Sequence, residues 1–180
     1  NTYQIPENEE RVLNNMIERR IDGLIFAAPM RNSKKEMEEL KHLGIPVVLL
    51  MRSGGLVGID SVSSDNYSGG YEIVNYLLST SDSDFDIRFL PLSQSRSAGM
   101  QRIAGHQNAL SVHGRQWIEE HAIYCEPTIK DGYNAMVKLL ESGFNKGNVC
   151  CGCDLIAIGA IKAVQEAGIK IPEEIRISGY

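Results

Sequence analysis

Apolar and polar positions along the chain follow two alternating periods. PENEERVLNNMIERR (6–20) carries Val12, Leu13, Met16 and Ile17 at helical spacing and runs into DGLIFAAP (22–29), a short apolar strand. KKEMEELKHLG (34–44) is predicted as a helix ended by glycine. IPVVLLM (45–51) is a near-continuous run of β-branched residues and leucine, the pattern of a strand buried on both faces. A helix at about 66–79, the strand IRFLPL (87–92), a helix from about 96 to 112 and the strand HAIYC (121–125) continue the series. DGYNAMVKLLESG (131–143), NVCCGC (148–153), DLIAIGAIKAVQEAG (154–168) and IRISGY (175–180) close it as helix, strand, helix and strand. Such alternation predicts an α/β fold of parallel strands with helices on both faces.

One stretch departs from the pattern. SDNYSGGYEIVNYLL (64–78) places Gly69 and Gly70 inside the first turns of a predicted helix, where each glycine costs roughly 1 kcal/mol relative to alanine. A close approach by another piece of backbone is one answer to why the pair is there.

Composition narrows the function classes. The 180 residues are 43% hydrophobic, enough for one sizeable core or two smaller lobes. The formal net charge is -5, with Lys and Arg scattered, so there is no basic stripe of the kind that neutralises phosphates. No run of about 18 apolar residues spans a bilayer, and the opening NTYQIPENEE is polar and acidic where a secretory signal is basic and then apolar. Cys125, Cys150, Cys151 and Cys153 suit a reducing compartment better than a disulfide scaffold, so the chain reads as cytoplasmic. Three of these cysteines crowd into VCCGC without the paired spacing of a zinc site, and compact core packing is the better reading. Neither a metal nor a cofactor is expected.

Ligands of open parallel sheets bind beyond the carboxyl ends of the strands. That rule nominates Ala28 and Pro29, Met51 and Arg52, the segment from Ser93 to Arg96, Cys125 and Glu126, and Cys153 and Asp154. Arg96 and Arg102 stand six residues apart at the start of one helix, a plausible fork for ligand hydroxyls, carboxylate or phosphate, although a solvated surface arginine is the plainer reading of either alone. Asp154 is most simply the N-cap of the helix after it. No glycine-rich nucleotide loop, Walker motif or nucleophile elbow is present, and His42, His106, His113 and His121 lie in unrelated contexts. Catalysis is the weaker class of hypothesis.

In order and spacing, the runs SVSSDNYSGGYEIVNYLLS, SRSAGMQRIAGHQNAL, DGYNAMVKLLESG and CDLIAIGAIKAVQEAGIKIPEEIRISGY resemble the effector-binding core of the lactose-repressor (LacI) family of bacterial transcription regulators. RRIDGLIFAAP and LGIPVVLLMR look like the same family's preceding strands. The resemblance implies a two-lobed fold of the type I periplasmic-binding-protein kind, closing over a small effector in the cleft between lobes. Residues 1–61 would then be part of the first lobe and 62–180 most of the second, with Ser63, Ser64 and Asp65 at the hinge. Gly69 and Gly70 would pack the following helix beneath that hinge.

By the same resemblance Arg102 falls on the family's effector-contacting arginine, and Arg96 on a position that contacts effector in some members. Met51 stands where many members have an aspartate, and Cys153 where many have an asparagine; both departures remove polar partners from the pocket. Arg52 would partly restore polarity, and Tyr124 and Glu126 are further pocket candidates by strand position. The implied function is non-catalytic. A small metabolite, a sugar or sugar derivative, would control operator binding by a homodimer through a helix-turn-helix domain outside this chain. The chain is expected to be incomplete at both ends. The alternative is an extracytoplasmic sugar-binding protein of a transport system, built on the same fold.

Overall fold

A computed structural model of the chain describes residues 6–27, 40–42, 44–51, 58–81, 85–93 and 97–180. The chain divides into two compact units, Asn1–Ser64 with Ser95–Ala98, and Asp65–Gln94 with Gly99–Tyr180.

The first unit holds helix α1 (Pro6–Glu18) and strands β1 (Leu24–Phe26), β2 (Val47–Leu50) and β3 (Asp60–Val62). The strands pair in parallel in the order β1-β2-β3, with Leu24 opposite Val47 and Val48 opposite Asp60. Leu24, Leu40 and Leu49 form its buried centre, and Leu13 of α1 packs against them. Here the pattern misled on one point: β2 is not buried on both faces. Leu50 is 38% exposed and Ile25 on the neighbouring strand 73% exposed, so side chains leave the core alternately as the pleat requires. Most of the helix expected at 34–44 lies outside the described residues; Leu40 and Lys41 are helical.

The second unit holds α2 (Asn66–Thr80), β4 (Asp86–Leu90), α3 (Ser97–Val112) from Gly99 onward, α4 (Ile129–Glu141), β5 (Gly147–Cys151), α5 (Asp154–Glu166) and β6 (Ile175–Ser178). Its strands run parallel in the order β4-β5-β6. The predicted strand at 121–125 is an irregular edge, joined by single bridges from Ala122 to Phe89 of β4 and from Cys125 to Leu92 just beyond it, and held by Ile123 N–H to the Phe89 carbonyl at 2.9 Å.

Alternation along β5 explains why GNVCC is buried throughout. Val149 and Cys151 enter a core with α4 and α5, whereas Cys150 faces the other way into a core with α2 and α3. A central strand covered on both sides has no solvent face, and cysteine serves there as a small apolar residue. Burial holds the thiols in their neutral form, pushing Cys125 and Cys150 up to about 12 and Cys151 well above the ordinary range.

Paired glycines join the helices on each face. A methyl group on Gly70 of α2 would stand 2.5 Å from the carbonyl oxygen of Arg102 on α3, and one on Gly105 would fall on the Tyr67 carbonyl. The second pair repeats the arrangement: a methyl on Gly132 of α4 would fall on the Ile156 carbonyl, and one on Gly159 of α5 on that of Ile129. Only residues without a Cβ let the backbones come this near.

Candidate functional site

Arg102, on the second turn of α3, is the organising side chain of the second unit. Its Nε donates to Asn66 Oδ1 at 2.9 Å and its Nη1 to the Gly152 carbonyl at 2.5 Å, while the guanidinium carbon lies 3.6 Å from the centre of the Tyr180 ring. Gly152 follows β5 and Tyr180 follows β6, so the arginine sits beyond the carboxyl ends of two parallel strands, where such sheets hold ligands. Burial pulls its proton affinity below the usual value, opposed by the nearby Tyr180 and Cys153. A guanidinium held in one plane by two hydrogen bonds and a ring presents its edge, which suits paired oxygens such as vicinal hydroxyls, a carboxylate or a phosphate.

Around it, Asn66 is buried and donates from Nδ2 to Gln101 Oε1 at 3.3 Å. Asp65 caps α2, accepting from the Ser68 amide at 3.0 Å, and this bond holds its carboxyl below the ordinary range. The Tyr180 hydroxyl donates to the Asp65 carbonyl at 3.2 Å.

Four residues on from Arg102, His106 is only 2% exposed and stacks on Phe89 with ring centres 5.3 Å apart. Its Nε2 lies 3.6 Å from Cys150 Sγ, and its Nδ1 has no partner among the described residues. Burial first, and then the charge of Arg102, lower its pKa to about 4, so it is a neutral core histidine at pH 7.

The other nominated residues are distributed as follows. Cys153, half-buried, occupies the N-cap position of α5 without a side-chain cap bond, and Asp154 is the first residue of the helix rather than its cap, which corrects the expected role. Its carboxylate lies against Gly179, where a Cβ would collide with it, and its charge at a helix N-terminus is favourable to the dipole. Glu126 is exposed, with its amide donating to Asp131 Oδ2 at 3.2 Å. Tyr124 donates to Glu119 Oε1 at 2.7 Å, and Trp117 Nε1 to Glu119 Oε2 at 2.8 Å.

Ser63 and Ser64 are exposed and irregular between β3 and α2. Met51 belongs to the first unit, is 68% exposed and has a positive φ of 61°, with its amide donating to the Val62 carbonyl at 2.8 Å. Ala28, Pro29, Arg52 and Arg96 lie outside the described residues, so the Arg96–Arg102 fork is not among the described geometry. Asn66 and Tyr180 were not singled out from sequence. The one local sign of Tyr180 is Gly69, the position on which its ring rests.

A parallel sheet covered by helices on both faces, with a fixed arginine beyond its strand ends, is the build of ligand-binding α/β proteins. The chain belongs to the family of periplasmic binding proteins and sugar-binding domains of LacI-type regulators, whose model matches residues 3–180. It is 29% identical over 183 residues to the HTH-type transcriptional repressor PurR of Klebsiella pneumoniae (strain 342), covering 100% of this chain and 52% of that protein. It is 26% identical over 180 residues to catabolite control protein A of Priestia megaterium, covering 100% of this chain and 54% of that one. The structure of the transcriptional regulator CelR in complex with cellobiose matches with a TM-score of 0.85 at 25% identity, over 98% of this chain and 54% of that one. The chain thus spans about half the length of the curated relatives it matches. No helix among the described residues is long and apolar enough to cross a membrane.

Proposed function

We propose that this chain is the effector-binding and dimerisation core of a transcription regulator of the LacI type, acting in the cytoplasm by binding rather than by catalysis. The observation that carries the proposal is Arg102, held by Asn66, the Gly152 carbonyl and Tyr180 beyond the strand ends and beside Asp65, where the chain enters the second unit. Its edge would pair with adjacent oxygens of a small metabolite, a sugar or sugar derivative, as cellobiose in the name of one relative suggests. Cys153, Asp154, Glu126, Met51, Arg52 and Arg96 are the further proposed pocket residues, and Ser63, Ser64 and Asp65 the proposed hinge between lobes divided near residues 61 and 62.

Effector binding would favour one arrangement of the lobes and so alter operator affinity, a coupling typically worth about 1 to 3 kcal/mol. Operator contact would be made by a helix-turn-helix domain outside this chain, in keeping with relatives named as HTH-type repressors. A net charge of -5 with Lys and Arg scattered along the sequence supports placing operator contact in that other domain. Relatives that are regulators favour this reading over a sugar-binding transport protein. For a homodimer, the exposed apolar side chains Ile129, Leu155 and Ile158 at the α4–α5 crossing offer a contact surface. Sedimentation is expected to give a dimer at micromolar concentration that Ile158→Asp converts to monomer; a wild-type monomer contradicts this part.

A thermal-shift screen against sugars, sugar phosphates, nucleobases and nucleosides tests the main proposal. Ligand at 100 times its dissociation constant adds about 2.7 kcal/mol of stability, readily seen as a raised midpoint. The expected result is a hit that disappears in Arg102→Ala. A hit of equal size in that variant removes Arg102 from the pocket.

A further inference from the structure

We propose that Tyr180 is the positioning residue for Arg102, an inference that rests on reading Arg102 as the ligand-contacting side chain. Two hydrogen bonds, to Asn66 Oδ1 and the Gly152 carbonyl, fix one edge of the guanidinium, and the Tyr180 ring at 3.6 Å closes its face. A cation laid on an aromatic ring resists tilting, because its attraction to the ring's negative face is lost as it moves off centre.

The ring is itself located from below. It rests on Gly69, where a methyl group would lie 2.5 Å from the tyrosine hydroxyl and 2.7 Å from the ring edge. The same hydroxyl donates to the Asp65 carbonyl at 3.2 Å, on the first residue of the second unit. One side chain therefore touches the guanidinium, the first turn of α2 and the entry of the chain into the unit. This also gives Gly69 a purpose distinct from that of Gly70. Gly70 admits the backbone of α3, whereas Gly69 admits the ring that aims Arg102. Any shift of the backbone at Asp65 reaches the guanidinium through Tyr180, and a ligand that fixes Arg102 fixes Tyr180 in turn.

The test uses the arginine-selective dicarbonyl phenylglyoxal on the purified chain, with labelling of each arginine followed by peptide mass spectrometry. In Tyr180→Leu the Arg102 face is bared, and its labelling rate is expected to rise by about three- to tenfold, the range set by a half-buried cation–π contact. Arg88 and Arg176, which lie over Phe144 and Phe85 in the same unit, serve as internal references and should keep their rates. Tyr180→Phe, which retains the ring, should label like the wild type at Arg102. If Tyr180→Leu does not yield folded protein, Gly69→Ala reads the same effect, since alanine favours the helix itself and acts only by displacing the ring. An unchanged Arg102 rate, or a rise shared by Arg88 and Arg176, overturns the proposal. Labelling requires no ligand, so this inference and the effector-binding reading can fail independently.

Discussion

The two faces of the second unit's sheet use the same device for different ends. On each, two helices cross through a glycine pair, Gly70 with Gly105 and Gly132 with Gly159, and one helix of each pair contains a run from Gly-Tyr to two leucines, GYEIVNYLL (70–78) in α2 and GYNAMVKLL (132–140) in α4. The α4–α5 face is filled by Ala135, Met136, Leu139, Ile156, Ala160 and Val164, with no buried polar side chain among them. The α2–α3 face buries Asn66 and His106 and half-buries Arg102, and its histidine Nδ1 has no partner among the described residues. Buried polar groups cost stability unless fully paired. One face supplies cohesion, and the other accepts a cost to hold a fixed cation at the strand ends.

The largest effect should come from filling a crossing. Gly132→Val forces a side chain into the α5 backbone and is expected to cost about 3 kcal/mol, read from the denaturant midpoint; Gly70→Ala should in addition weaken any ligand that Arg102 holds, because its methyl presses on the Arg102 backbone. Equal ligand affinity in wild type and Gly70→Ala would break the distinction between the faces.

Next in size is an acid-side pH dependence that the polar face should show through His106. His106 has a folded pKa of about 4 against 6.5 when unfolded, so the unfolded chain binds more protons between these values. Its contribution is fully present above pH 6.5 and is lost as pH falls through 4, about 3 kcal/mol at 1.36 kcal/mol per unit. His106→Phe should flatten that part of the stability profile, and an unaltered slope would contradict the assignment.

A smaller effect belongs to the apolar face. Thr128 caps α4 by accepting from the Asp131 amide at 3.0 Å, and Thr128→Ala should cost about 1 kcal/mol without changing ligand affinity.

Much of this frame was legible in the residues, because alternation of helical and strand periods is a local signal that survives folding. VCCGC reads as compact core packing, and Gly69 and Gly70 as close approach by backbone, which holds at Gly70 but not at Gly69, where a side-chain ring lies. What they approach was not legible. Tyr180 is far from both in sequence, and nothing local marks it as the partner of Gly69 or of Arg102. Asn66 was hidden beside a capping aspartate that accounted for the local pattern by itself. The cap of α5 was misplaced by one residue, since Asp154 satisfies capping chemistry equally well from the first turn. The strand at 121–125 lost its regularity because it meets β4 at a single bridge, Ala122 to Phe89, and the chain beyond β4 at one more, Cys125 to Leu92. The bare side of β1 and β2 was missed because apolar content says how much a strand wants covering, not what covers it.

The most direct measurement is a calorimetric titration of the first ligand identified by the screen into wild type, Arg102→Lys and Thr128→Ala, with unfolding of each followed in parallel. A lysine keeps the charge but cannot offer a planar fork. Arg102→Lys is expected to lose at least about tenfold in affinity, the cost of one charge-assisted hydrogen bond, with a modest change in stability, and Thr128→Ala to do the reverse. Wild-type affinity in Arg102→Lys would contradict the claim that the arginine on the polar face holds the ligand.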